Sequence, residues 1–380
     1  METVANGKES RGENRRANRG RAALKAWDTI RKRRRPVDDK RTRQLEVFLT
    51  PTQAAGIRHP LDFGQIQTAV PQIAGVRKSY GKGIVSQFDK TPREIACGKF
   101  WELRWAFGCP FNCAYCYLRG TLKGSTKPRY IKIEYILRAL DEAFEGIAQP
   151  SIFNSGELSD SWMNPEIMIQ IVDKFETQTK HRLLTLTKFG SKSPLLSLLL
   201  GKPRRQTITA FSVNASKVAM MYERDAPTPQ ERIEAAKLLA EAGYDTRIRI
   251  DPIFPIRDWE SHYADLLYSI FSAMEPNRII LGTPRGLWKT ITYARNAKMD
   301  MSWTDYFSED KTGWGKKLPF DKRLQIYQFM YWQLESLGFP KEKITMCKEE
   351  PRMWQTMSLP FQPMMCNCYG SSWVDSLRHS

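Results

Sequence analysis

From Phe100 onward, short β-like runs alternate with amphipathic helical runs, and few folds accommodate that order. The strand candidates are 100–105, 151–154, 183–187, 206–212, 246–251 and 278–283. Helical patterns lie between them near 133–146, 165–179, 193–200, 229–242 and 259–274. Strands that alternate with helices pair in parallel through right-handed crossovers. The expected class is therefore α/β, a curved, partial (β/α)6 TIM-like barrel, with its chemistry at the C-terminal ends of the strands. The helix at 229–242 is fully punctuated: Thr228 as N-cap, Pro229 at the first position, Glu231 completing a capping box, Gly243 as terminator. Along 259–274, Trp259, Tyr263, Leu266, Leu267, Ile270 and Met274 share one face, the spacing of a core-facing stripe.

The flanks follow other rules. Residues 1–45 carry 15 Lys or Arg against 6 Asp or Glu, which is half of the formal net charge of +18. They include Arg31-Lys32-Arg33-Arg34-Arg35 and few large apolar residues, so a basic disordered tail is expected. Residues 46–98 mix apolar and turn residues without period and are expected to pack on the core as an N-terminal extension. The barrel proper is assigned to 99–285 and an irregular C-terminal extension to 286–380. Within that extension, 286–318 reads as an insertion holding Trp288, Tyr293, Trp303, Tyr306, Phe307 and Trp314 among lysines, a candidate substrate surface able to stack bases and contact phosphates, or a loop whose tryptophans pack onto the barrel. A helix near 320–337 and a short strand at 343–347 follow.

The basic excess favours a polyanionic partner, nucleic acid first, although a solvated tail alone has the same composition. The longest apolar stretch, around Leu195 to Leu200, is too short to span a bilayer, and the N-terminus has no apolar signal region. The expectation is a cytoplasmic protein without a membrane partner. Seven cysteines in a reducing compartment are better suited to ligation or reactivity than to disulfides. Oligomeric state is not legible.

The densest chemical signal is Gly108-Cys109-Pro110-Phe111-Asn112-Cys113-Ala114-Tyr115-Cys116-Tyr117, directly after the first barrel strand. Three thiolates at C-x3-C-x2-C spacing on one tight loop ligate three irons of a [4Fe–4S] cluster. The fourth iron lacks a protein ligand and is free to be chelated by the amino and carboxylate groups of S-adenosylmethionine (SAM). A structural zinc site ordinarily uses four ligands, and this loop offers three cysteines and no histidine.

On these residues the chain resembles the radical SAM superfamily, and within it the spore photoproduct lyase family. Cys113-Ala-Tyr-Cys116-Tyr117-Leu118 is similar to that family's cluster loop. The similarity continues through Leu158-Ser159-Asp160, Leu186-Thr187-Lys188, Phe211-Ser212-Val213-Asn214, Ala242-Gly243-Tyr244, Asp251-Pro252-Ile253 and Asp258-Trp259-Glu260, covering roughly residues 98–285. The resemblance implies SAM-binding roles. Ser155, Gly156 and Glu157 stand where the family binds the SAM amino group, with Ser159 just beyond. Glu157 could instead cap the next helix. Lys188 could pair with the SAM carboxylate, and Ser212 and Asn214 could bind ribose or carboxylate, or form a turn. Tyr115 and Tyr117 could line the SAM pocket. An electron donor such as a flavodoxin or ferredoxin is implied. Asp251 stands where the lyases have a small apolar residue, and it could meet adenine, a substrate or Arg249.

Two departures qualify the expectation. The lyases carry a hydrogen-donating cysteine just before the Ser-Asp pair, where this chain has Glu157-Leu158. The C-terminus adds Cys347, Cys366 and Cys368, a candidate second iron–sulfur site with Cys97 or a substrate atom as the fourth ligand. A relocated hydrogen donor or inert packing are the other readings of these thiols. Arg285, after the sixth strand, could reach a substrate phosphate. The function expected is a lyase-like radical SAM enzyme acting on nucleic acid, in DNA repair or base modification. The alternatives are a protein or small-molecule substrate, or a non-catalytic, metal-stabilised nucleic-acid-binding protein.

Overall fold

The computed structural model describes residues 79–361, except 89, 98–99, 203 and 309–310, together with Cys368; for Lys311 and Thr312 it describes the backbone alone. The expected basic tail, residues 46–78 of the expected N-terminal extension, and Cys366 lie outside the described residues.

The strands, in chain order, are β1 (Ser79–Tyr80), β2 (Val85–Phe88), β3 (Phe100–Leu103), β4 (Ala106–Phe107), β5 (Arg129–Tyr130), β6 (Ile152–Asn154) and β7 (Arg182–Thr187). Next come β8 (Thr207–Ser212), β9 (Asp245–Ile250), β10 (Arg278–Leu281), β11 (Arg285–Gly286), β12 (Lys311–Thr312), β13 (Gly315–Lys317) and β14 (Ile344–Met346). The helices are α1 (Leu118–Thr121), α2 (Ile133–Gly146), α3 (Pro165–Phe175), α4 (Leu195–Leu200) and α5 (Ser216–Tyr222). They continue with α6 (Pro229–Glu241), α7 (Trp259–Ala273), α8 (Trp288–Asn296), α9 (Phe320–Ser336) and α10 (Pro351–Thr356).

The main sheet runs β1-β2-β3-β6-β7-β8-β9-β10-β14. Pairing from β3 through β14 is parallel, and β1 and β2 extend the other edge in antiparallel fashion. The six expected barrel strands are all present. A seventh parallel strand joins them: β14 pairs with β10 in the register Ile279↔Ile344 to Leu281↔Met346. The short strand expected at 343–347 therefore belongs to the barrel sheet, and the C-terminal segment is not wholly an irregular extension. The 286–318 insertion is likewise structured, holding α8 and the β11-β13-β12 ribbon.

Side-chain alternation divides the sheet into two faces. Phe153, Leu183, Phe211, Ile248, Ile250, Ile279 and Leu281 join the large core with the covering helices. Ile136, Ala139, Leu140 and Ala143 of α2, spaced by three and four, bury the facing stripe. The opposite face holds a small apolar layer of Ile152, Leu184, Ile208 and Ala210. Below that layer, Asp245 takes Arg182 and Arg247 at 3.0 and 2.9 Å. Above it, at the C-terminal ends, the same face presents Ser212, Arg249 and Asp251. Both faces are covered, as a parallel sheet requires. The stripe of α7 is buried from Trp259 to Ile270, whereas Met274 lies just beyond the helix and is only partly buried; Trp303 is fully buried in the same core.

The α6 capping box is complete. Thr228 Oγ1 accepts from Glu231 N at 3.3 Å, and Glu231 Oε2 accepts from Thr228 N at 2.8 Å. Thr228→Ala should cost about 1 kcal/mol of unfolding free energy, and Thr228→Ser should restore most of it, measured by urea denaturation.

Candidate functional site

The cysteine loop leaves the sheet after β3 and is held from several sides. β4 pairs with β5, Ala106 against Tyr130 and Phe107 against Arg129. Gly108 sits at φ +91°, where a Cβ would lie 2.5 Å from the Lys127 carbonyl, so only glycine fits. Gly108 N donates to Leu158 O at 2.9 Å and Cys109 N to Thr126 O at 2.9 Å. Cys113 bridges Glu223, and Ala114 N donates to Tyr222 O at 2.8 Å. Arg119, buried below the loop, donates to the Cys113 carbonyl at 3.2 Å and to Asn112 Oδ1.

Cys113 is buried, and Cys109 and Cys116 are partly so. Burial pushes all three thiols up, Cys113 to about 12, and each of Cys109 and Cys113 is raised further by Cys116. A cationic iron–sulfur core removes the penalty on ionising such a set. Among the described residues no three His, Cys, Asp or Glu side chains converge as ligands of one ion would. A multi-iron cluster instead takes one thiolate per iron, so three thiols spread along a loop fit it.

Glu223, at the end of α5, is the anchor that sequence analysis missed. Its side chain is fully buried; Lys188 Nζ lies 2.6 Å from Oε1, and Arg232 of α6 lies 2.6 Å from Oε2. The Arg232 contact is a charge pair without hydrogen-bond alignment. Tyr115 donates its hydroxyl to the same carboxylate and accepts from Lys188 Nζ at 3.1 Å. Burial works against the Glu223 anion, but Lys188 and Arg232 outweigh it and hold its pKa down at about 2. Lys188, expected to face a SAM carboxylate, is thus already paired with a protein carboxylate. Tyr115, whose ring tilts against Phe254 at 5.3 Å, is part of that brace.

The β6 loop supplies the next contacts. Glu157 accepts from Asn154 Nδ2 at 2.8 Å and from Tyr117 OH at 3.3 Å, and Tyr117 also donates to the Glu157 carbonyl. Glu157 does not cap the following helix; Asn164 does, accepting from Ile167 N at 3.2 Å. Gly156 lies against Leu186, with no room for a side chain. Asp160 clamps the end of β7 through Lys188 N at 2.8 Å and Thr187 Oγ1 at 3.0 Å, and burial raises its carboxyl to about 6.

Three expected ligand residues are otherwise engaged. Ser155 is buried, its hydroxyl shared with Ser161 at 2.9 Å and Leu184 O at 3.1 Å. Ser159 is buried and reaches Ser155 O at 3.5 Å. Asn214 donates to Pro252 O at 2.8 Å and accepts from Tyr263 OH at 2.7 Å, a brace between strand ends and α7. Ser212 is only partly buried and lies on the interior face of the sheet. Arg285 also differs from expectation: it donates to the carbonyls of Cys347 and Lys348, both at 2.7 Å.

Across the mouth, Arg249 joins Asp251 Oδ2 at 2.7 Å and Cys347 Sγ at 2.9 Å. Asp251 thus meets Arg249, one of its three expected partners. Cys347 also hydrogen-bonds Cys368, and both are buried beside Ile280. The Lys348 ammonium lies 5.6 Å from the Tyr117 ring centroid, linking this side to the cysteine loop.

Glu223→Ala would leave two cations in the interior and should cost about 3–5 kcal/mol. Because the folded-state pKa of Glu223 is depressed, its contribution is complete above the ordinary carboxylate value of 4.5 and drains as pH falls toward about 2. Urea midpoints should fall more steeply across that window in the native chain than in Glu223→Gln.

The model of the spore photoproduct lyase family matches residues 90–280. The spore photoproduct lyase of Clostridium acetobutylicum is 28% identical over 175 residues, 44% of this chain and 50% of that protein. That of Bacillus subtilis is 27% identical over 185 residues, 46% and 52% of the two. This chain therefore spans about half the length of the curated relatives it matches. A spore photoproduct lyase variant with bound AdoMet and dinucleoside spore photoproduct superimposes with a TM-score of 0.55 at 19% identity, over 65% of this chain and 75% of that one. Another lyase variant has a TM-score of 0.55 at 18% identity over 81% and 92%. The mixed α/β fold with its mainly parallel sheet is the fold of those lyases, and by the match across half its length the chain belongs to the spore photoproduct lyase family.

Proposed function

We propose that this chain is a radical SAM enzyme of the lyase type, acting on nucleic acid. One observation carries the reading: three thiols on a single braced loop stand at the C-terminal ends of a parallel sheet, beside polar groups on its interior face. Cys109, Cys113 and Cys116 would hold a [4Fe–4S] cluster. Gly156, Glu157 and Tyr117 from the β6 side, with Ser212 opposite, would border SAM; Lys188, Tyr115, Ser155, Ser159 and Asn214 hold that border in place. When bound, the reduced cluster and SAM supply a 5′-deoxyadenosyl radical, with the electron coming from a flavodoxin- or ferredoxin-like donor.

The chain's own contribution is placement and dryness. Glu223 neutralises Lys188 and Arg232 beneath the loop, so the loop is seated without an uncompensated buried charge. Glu157 is a partly exposed carboxylate suited to a cationic amine. The nucleic-acid class is supported by the basic composition and by the lesion dinucleoside bound in a related lyase.

The absence of a thiol at Glu157-Leu158 favours a second reading of the outcome. A carboxylate and a hydrocarbon do not return a hydrogen atom to a carbon radical as a thiol does. The same radical chemistry would then end in base modification instead of dimer repair.

Anaerobic purification and reconstitution, followed by SAM and a reductant, tests the proposal. About four irons per chain and 5′-deoxyadenosine are expected, both lost in Cys113→Ala. A zinc-loaded protein that leaves SAM intact would overturn it. About eight irons would place a second cluster at the candidate set Cys347, Cys366 and Cys368.

A further inference from the structure

The sequence contains no Asp or Glu between Glu102 and Glu134, and none between Glu275 and Asp300. The fold lays these two acid-free segments against each other. The junction is α1 on α8: a Cβ on Gly120 would lie 2.8 Å from Thr290 N and 3.0 Å from Lys289 Cβ, so the helices cross at glycine distance. A Cβ on Gly124, at φ +89°, would lie 2.9 Å from Tyr293 Cδ1. Arg119 reaches across to Met299 Sδ at 3.5 Å.

The first segment exposes Lys123, Lys127, Arg129 and Lys132. The second exposes Lys289, Arg295 and Lys298. No ion pair to any of these seven is found among the described residues. Elsewhere on the surface Lys174, Lys192, Lys202, Lys237 and Lys343 each find a carboxylate, while exposed cations without an ion pair among the described residues, such as Arg138, Arg205 and Lys217, also occur. Two large aromatics stand among the unpaired cations. Trp288 is 70% exposed, with the Lys289 ammonium 5.5 Å from its ring, and Tyr130 is 42% exposed. A tryptophan left in water gains nothing for the fold; its open face is available to another ring.

The position adds to the composition. Lys127 lies one backbone thickness from the cysteine loop, its carbonyl against Gly108 and its neighbour Thr126 bonded to Cys109 N. Unpaired cations with interleaved exposed aromatics match a phosphodiester strand with unstacked bases. We infer that the surface formed by residues 123–132 and α8 binds single-stranded nucleic acid, with Trp288 stacking a base and the lysines and arginines following the phosphates. This rests on the nucleic-acid part of the function proposed above, and names the surface that would serve it.

The test is anisotropy of a fluorescein-labelled oligothymidylate titrated with the full chain, without SAM, across a salt series. Lys123→Ala/Lys127→Ala should weaken binding and reduce the slope of log affinity against log salt by about 1.4, two phosphate contacts at about 0.7 each. Trp288→Ala should weaken binding about five- to hundredfold with little change in slope. Lys237→Ala, which removes an exposed lysine paired with Glu241 within α6, is the control and should leave both unchanged. Affinity and slope indifferent to the double variant and to Trp288→Ala would overturn the inference. So would equal weakening by Lys237→Ala, or tighter duplex binding to which Trp288 makes no difference. A chain that binds through these residues yet leaves SAM intact supports the surface and removes the catalytic reading instead.

Discussion

The carboxylate of Glu223 is the point on which the site is assembled. It accepts charge from Lys188 at the end of β7 and from Arg232 on α6, takes the Tyr115 hydroxyl, and pairs through its backbone with Cys113. Four separate segments meet at one buried anion. Burying an ion pair is costly unless geometry and hydrogen bonding compensate, so such a cluster does little for net stability compared with an apolar core. Its value is positional: the partners gather on one buried charge, and that arrangement seats the cysteine loop over the strand ends.

The same logic runs around the mouth. Asp160 ties the β6 loop to β7, Asn214 ties β8 to the loop after β9 and to α7, and Arg249 ties β9 to the residue after β14. Polar side chains at strand ends act here as cross-braces between neighbouring strands, while the apolar layer beneath, Ile152, Leu184, Ile208 and Ala210, separates them from the charged group at the other end.

Much of this architecture was legible in the chain because local signals agree with the global fold. The six barrel strands and the covering helices follow from periodicity and caps, since burial on both sheet faces and helix termination are written in nearby residues. The cysteine loop is equally local. What escaped is non-local. Glu223 sits in Tyr222-Glu223-Arg224-Asp225, which looks like a solvated charge run; only the arrival of Lys188 and Arg232 makes it interior. Asn214 and Ser155 have the same residue types whether they bind a ligand or brace a strand, and Tyr263 and Leu184, distant along the chain, decide the matter. β14 is three residues long, too short to announce its partner. In the 286–318 segment the aromatics divided by depth, Trp303 fully buried and Trp288 open to water, a distinction that spacing alone does not carry.

The late strand has a consequence for how the molecule comes into being. β14 pairs with β10 across 65 residues of intervening register, Ile279 with Ile344, and carries Cys347 directly behind it. A pairing of that sequence separation is among the slower events in folding, because the loop entropy is spent before the contact repays it. On a ribosome the earlier strands emerge first and have to wait with one edge of the sheet unpaired. The far wall of the mouth, with the thiol that Arg249 contacts, closes only once the chain has been made past residue 347.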